Sequence, residues 1–139
     1  MLKMAAAEEI VKKMYSADLF SQWLGIEVLE LTKGFCKLEM KVRKEMLNGF
    51  SILHGGVTFS LADTALAFAA NSLGKISIST EASISYIKKA KENDILTAIA
   101  EEASITEKTG IYYTRIINQD NITIALFKGT VLRTGKDWI

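Results

Sequence analysis

Gly55–Ser72 reads GGVTFSLADTALAFAANS. Ala, Leu and Phe in this run occupy nearly every angle of a 3.6-residue turn, and most of its residues are good helix formers. The pattern predicts one long helix buried on all sides, because a surface helix would carry a polar face. The remaining chain has to wrap around it.

The flanking sequence has a period of two. Phe35–Arg43 sets Cys36, Leu38, Met40 and Val42 on one face and Lys37, Glu39, Lys41 and Arg43 on the other, the alternation of a half-buried strand. Gly25–Leu31 pairs with it through a turn at Lys33-Gly34. After Gly74, Ile76, Ile78, Thr80, Ala82, Ile84 and Tyr86 alternate against Ser77, Ser79, Glu81, Ser83 and Ser85 in a strand ending at Ile87. Ile95–Thr106 leads through a turn at Glu107–Gly110 to Ile111–Asn118, and Asp120-Asn121 opens a hairpin into Ile122–Arg133. Proline is absent, so Gly, Asn and Asp supply the turns. Residues 1–24 read as a helical segment, with a first helix over residues 3–16 and a shorter one at Leu19–Leu24.

Two strands, one buried helix and a meander of long antiparallel strands imply an α+β fold. A curved sheet of roughly five to six strands wraps the helix and keeps its outer face polar. This is the hotdog arrangement. A ferredoxin-like sandwich would need a second long helix between the later strands, and no such pattern is present. With no repeat or linker, residues 1–139 read as one domain.

The 139 residues carry a net charge of +1, so no overall field draws in a nucleic acid. One cysteine and one histidine cannot close a structural zinc site, and a lone cysteine suits a reducing compartment. Glu8, Glu9, Lys12 and Lys13 interrupt the N-terminal run, which therefore reads as neither a signal peptide nor a membrane span. The expectation is a cytoplasmic protein with no metal and no membrane partner.

Asp63 is the residue that does not belong. An ionised carboxylate among Phe59, Leu61, Ala62, Ala65, Leu66 and Phe68 costs free energy unless it is partnered or serves a function. Two readings stand: a wet stripe on the helix with Asp63 tied to Thr64 or a backbone donor, or a functional acid. At the helix start, Gly55 and Gly56 present first-turn amides without intrahelical acceptors, a candidate oxyanion hole; a plain loop-to-helix junction would look the same. Gly55 and Asp63 are separated by eight positions, about 12 Å along a helix axis. One carbonyl cannot touch both on one helix. If both act, they come from two subunits with antiparallel helices across a two-fold axis. His54 either orients a carbonyl or bonds the helix start. Cys36, alternating within an apolar strand face, reads as core. Lys88, Lys89 and Lys91 form either a solvated turn or a phosphate contact. Phe50, Phe59, Phe68 and Tyr86 are either core or the wall of an apolar pocket.

The segment Asn48–Ser72, NGFSILHGGVTFSLADTALAFAANS, resembles the central motif of the PaaI-like hotdog thioesterases of phenylacetate degradation. The shared pattern is Asn48, five residues, His54-Gly55-Gly56, and Asp63 nine positions after His54, within FSLADTA. The likeness continues through SISYIKKAKENDILTAIAEE into IALFKGT. It implies an acyl-CoA thioesterase in which Asp63 is the catalytic acid and the Gly55 amide polarises the thioester carbonyl. Asn48 and His54 stand beside them, Gly56 lies with the substrate, and Ser79 falls where some members support the water. It also implies a homo-oligomer of composite dimeric sites, typically a tetramer. Coenzyme A is part of the substrate and no separate cofactor is expected. Lys88-Lys89 replaces the family's usual Arg-Pro, and Asn93 its usual Gly. A positive charge is kept at Lys88, but a lysine cannot form the bidentate contact of arginine.

The acyl group is left open between aryl-acetyl and short- to medium-chain acyl. Two other functions fit the same residues: an acyl-CoA-binding module with little turnover, and a hotdog hydratase or dehydratase. The second needs an acid/base pair acting at two carbons, and the only histidine adjoins the Gly-Gly pair.

Overall fold

A computed structural model describes residues 4–139. Helix α1 spans Met4–Ala17 and α2 spans Leu19–Leu24; β1 (Glu27–Thr32) and β2 (Phe35–Lys41) precede a 3-10 turn at Lys44–Met46. The long helix α3 covers Gly55–Asn71. It is followed by β3 (Lys75–Tyr86), β4 (Ile95–Ile105), β5 (Thr109–Ile117) and β6 (Thr123–Asp137). The expected helix start at residue 3 lies outside the described residues.

All six strands form one antiparallel sheet in the order β1-β2-β4-β5-β6-β3. The arrangement is the hotdog fold that the periodicity implied. Helix α3 lies across the sheet and buries Leu61, Ala62, Ala65, Leu66, Phe68 and Ala69 against Leu38, Met40, Leu96, Ala98, Tyr112, Ile116 and Phe127. The alanines on helix and strands bring the two backbones close. Gly129 in β6 brings them closer still, since a Cβ there would overlap Leu66. Helix α1 packs beside α3 and β1 through Ala7, Ile10 and Val11, with Tyr15 edge-on to Phe68 at 6.3 Å. Asp18 caps α2 by accepting from the Ser21 amide at 3.0 Å, and Gly25, at φ +75°, ends it in the left-handed region.

The structure departs from the simple pattern in three places. Helix α3 is not hidden all round: Gly56 is exposed, and Phe59, Ser60, Asp63 and Ala67 are only partly covered. These positions share one face at helical spacing. The sheet covers the opposite face, so apolarity around the circumference exceeds what a single chain can bury.

The second departure lies in β3. A bulge between Ser79 and Glu81 breaks the alternation: Ile78 pairs with Leu132, while Ala82 pairs with Gly129 and Ile84 with Phe127 on the inner face. One extra residue reverses the facing of everything before it, so Ile78 is 56% exposed. Together with Tyr113, Leu126 and Leu132 it makes the outer face partly apolar rather than polar. The third departure is at the C-terminal end, where β6 continues past Arg133 to Asp137. The Lys75–Asp137 ion pair at 2.7 Å and the bond from Trp138 Nε1 to Asn71 Oδ1 at 2.8 Å hold it there.

Gly129→Ala is expected to lower stability by about 1–3 kcal/mol through overpacking against Leu66, read as an earlier midpoint in urea unfolding. An unchanged midpoint would show that the Leu66 contact has room to relax.

Candidate active site

The loop entering α3 is built from its own polar groups. Asn48 Oδ1 accepts from the Phe50 amide at 2.9 Å and the Ile52 amide at 3.4 Å, an Asx turn that lets Ser51 reach φ +59°. The Leu53 amide donates to the Ala90 carbonyl at 2.8 Å and the His54 amide to that of Met46 at 2.9 Å. The first bond brings the loop against the segment that follows β3, and the second closes it onto the 3-10 turn at Lys44–Met46. The result is a cleft of about 300 Å³ lined by Asn48, Gly55, Thr58, Tyr86, Lys88 and Lys89, with Ile52, Ile87 and Ile124 among its apolar walls.

At the mouth of the helix, three of the first four amides are already engaged. His54 is the N-cap: its Nδ1 accepts from the Gly56 amide at 2.8 Å, and its carbonyl accepts from Val57 at 2.9 Å and Thr58 at 3.3 Å. Gly56 therefore has no amide to offer a substrate, because histidine has claimed it. Neutral His54 carries its proton on Nε2, the nitrogen left over by that bond. Of the four, only the Gly55 amide has no acceptor among the described residues, and Gly55 lines the cleft. Of the two roles open to His54, the structure displays the helix-start one.

Asp63 sits two turns further along α3, partly covered and with no hydrogen-bond partner among the described residues. Burial raises its pKa above the ordinary carboxylate value. Its neighbour Thr64 is buried and held at 3.0 Å from Ser21 Oγ, which in turn donates to Asp18 Oδ2 at 2.6 Å. That chain docks α2 beside Asp63 and leaves the carboxylate itself free. The bonding of Asp63 to Thr64 that a wet-stripe reading invoked does not occur.

The remaining residues divide clearly. Asn48, Gly55, Lys88 and Lys89 share the cleft; Asp63, His54, Gly56, Ser79 and Lys91 are not among its lining residues. Lys91 stands in the next turn, its amide donating to Asp94 Oδ2 at 2.9 Å. Ser79 lies on β3 paired with Val131, exposed, and its side chain makes no hydrogen bond. Phe68 is core, Phe59 packs edge-on to Phe127 at 5.3 Å, and Phe50 is 85% exposed. Cys36 is buried, and burial pushes its thiol up to about 12, so it is no nucleophile. Sequence reasoning gave Thr58 no role, since a buried threonine in an apolar helix carries no distinguishing signal.

Comparison with known proteins settles the family. Residues 50–125 match the model of the thioesterase superfamily. This chain belongs to the thioesterase superfamily. It is 39% identical to the acyl-coenzyme A thioesterase PaaI of Escherichia coli over 122 residues, covering 88% of this chain and 87% of that one. The structure of the E. coli PaaI protein from the phenylacetic acid degradation operon superposes with a TM-score of 0.94 at 36% identity, over 96% of this chain and 97% of that one. A hypothetical thioesterase of Streptococcus pneumoniae, solved with coenzyme A, superposes with a TM-score of 0.85 at 27% identity, over 90% of this chain and 98% of that one.

The raised pKa of Asp63 has a consequence for stability. Its protonated form is favoured in the folded state, so the contribution is complete below the unfolded pKa, near about 4, and is lost as pH rises through the folded value. Asp63→Asn is therefore expected to melt at a higher temperature than the parent at pH 7, with the gain shrinking to nothing as pH falls below about 4. Calorimetry across that range checks it; a variant less stable at pH 7 would show that Asp63 is a structural anchor.

Proposed function

We propose that this protein hydrolyses acyl-CoA thioesters, carrying an aryl-acetyl or short- to medium-chain acyl group, to the free acid and coenzyme A. The single observation that carries the reading is the unengaged Gly55 amide in a cleft with Lys88 and Lys89, on a helix whose other functional group is a partnerless Asp63. Membership of the superfamily and the likeness to PaaI supply the substrate class.

In this mechanism the thioester carbonyl oxygen accepts from the Gly55 N–H, placed at the positive end of α3. Asp63 of a second subunit takes a proton from water, and the water oxygen bonds to the carbonyl carbon. The tetrahedral oxyanion collapses, the C–S bond breaks, and the thiolate departs with the proton that Asp63 held. Burial makes Asp63 a stronger base than a solvated aspartate. Asn48, whose Oδ1 is engaged in its own loop, has an amide nitrogen to offer the acyl carbonyl, and Lys88 and Lys89 face the phosphates of coenzyme A. Coenzyme A enters as substrate, and the scheme calls on no metal or cofactor.

The two-subunit site is supported by geometry. Eight helical residues put Asp63 about 12 Å from Gly55, too far for one carbonyl. Strand β3 is a sheet edge, paired only with β6, and an open edge of this length invites a second copy. The uncovered stripe on α3 carries Asp63 toward such a partner. The exposed Ile78, Tyr113, Leu126 and Leu132 on the outer face support a further pairing of dimers into a tetramer. No helix among the described residues is long and apolar enough to cross a membrane. A single reduced thiol at Cys36 supports a cytoplasmic setting, and the near-neutral charge gives no support to nucleic acid as a partner.

Release of free thiol from a panel of acyl-CoAs tests the chemistry. Asp63→Ala is expected to lower kcat by about 100-fold or more at unchanged oligomeric state; acyl-CoA binding without thiol release in the parent would make this a binding module instead. Mixing tests the shared site. Asp63→Ala and Gly55→Val chains are each inactive alone, and their random co-assembly restores about a quarter of the parent turnover, since half the dimers are mixed and each holds one intact site. No recovery on mixing would place both groups in one subunit.

A further inference from the structure

Tyr86 ends β3 at the rim of the cleft. Its hydroxyl donates to the Gly55 carbonyl oxygen over 3.0 Å. Its ring stands so close that a Cβ on Gly55 would lie 2.9 Å from Cζ and 3.2 Å from Cε1, closer than carbon atoms approach without displacement. The backbone beyond it is anchored, the Ile87 and Lys88 amides both donating to the Ile124 carbonyl at 2.8 and 3.2 Å. Tyr86 is 55% exposed, so core packing does not explain where its ring sits; its contact with Gly55 does.

Two successive peptide units meet here. In the Gly55–Gly56 unit, the oxygen is held by Tyr86 and the N–H by His54 Nδ1 at 2.8 Å. In the His54–Gly55 unit, the oxygen accepts from Val57 and Thr58, and the N–H is the one polar group left without a partner. A glycine at a helix end is the most mobile residue a chain can place there, yet an oxyanion donor has to be aimed before the charge develops.

We propose that Tyr86 is a positioning residue that clamps the helix start and so aims the Gly55 N–H into the cleft, and that position 55 is glycine because the Tyr86 ring fills the space of its Cβ. This rests on the oxyanion role given to Gly55 above. The ring end is free to swing into solvent, so Gly55→Ala expels it and breaks the same clamp that Tyr86→Ala removes.

Tyr86→Phe keeps the ring and deletes the hydroxyl. It is expected to lower kcat about three- to tenfold with KM within about twofold of the parent, at the same Tm and oligomeric state. Gly55→Ala and Tyr86→Ala are expected to share one defect, and the double variant to be no slower than the slower single. Parent-like kcat in Tyr86→Phe, or losses that multiply in the double variant, would overturn the proposal while leaving Asp63→Ala inactive and the hydrolytic reading intact. Hydrogen exchange gives a readout independent of turnover: the Gly56 and Val57 amides are expected to exchange several-fold faster in Tyr86→Phe. Unchanged exchange overturns the clamp even if the enzyme proves inactive on every thioester tried.

Discussion

Leu61, Leu66 and Phe68 of α3 are wholly buried against the sheet, and each such side chain contributes about 1.5–3 kcal/mol when removed from water. The rest of the molecule depends on this contact. A helix so apolar requires a cover, and a six-stranded antiparallel sheet supplies one only by curving. Alanines at 62, 65 and 69 on the helix and at 98, 100 and 125 on the strands set a short separation, and Gly129 sets the closest point. The loop before α3, the turn after β3 and the end of β6 are then brought to fixed places around the helix.

The same packing gives Asp63 its character. A carboxylate on an otherwise apolar helix, partly covered and without a hydrogen bond, is costly when ionised, and the upward push on its pKa records that cost. Stability would favour asparagine or alanine at this position. Retaining a destabilising group on a face that the chain leaves open accords with the role as base proposed for Asp63. The nearby Asp18–Ser21–Thr64 chain does the structural work of joining α2 to α3, so Asp63 is relieved of it.

At the other end of α3 the economy of amides decides what chemistry is available. A helix start offers several unpaired N–H groups, but His54 consumes three through its ring nitrogen and its carbonyl. What remains is one donor at Gly55, a residue that lines the cleft together with two lysines. A single donor held by fixed neighbours is more selective than four loose ones, because its direction is determined before any ligand arrives.

The amino-acid sequence by itself determined the element order, the long apolar helix and the core face of the strand at Phe35–Lys41, because period and composition are local properties that survive without coordinates. It also marked Asp63 as out of place and Gly55 as a candidate donor, and helix length alone separated them by more than one carbonyl can span. It could not reveal the bulge at Ser79–Glu81, which reverses Ile78 and leaves the outer face partly apolar, since a one-residue insertion looks like unbroken alternation. Nor could it show that His54 takes the Gly56 amide, that Tyr86 meets Gly55, or that Lys91 falls outside the cleft while Lys88 and Lys89 line it. Those facts arise where chain segments distant in sequence are pressed together around α3, and only the tertiary structure decided them, because which polar groups remain free depends on which neighbours have already claimed the rest.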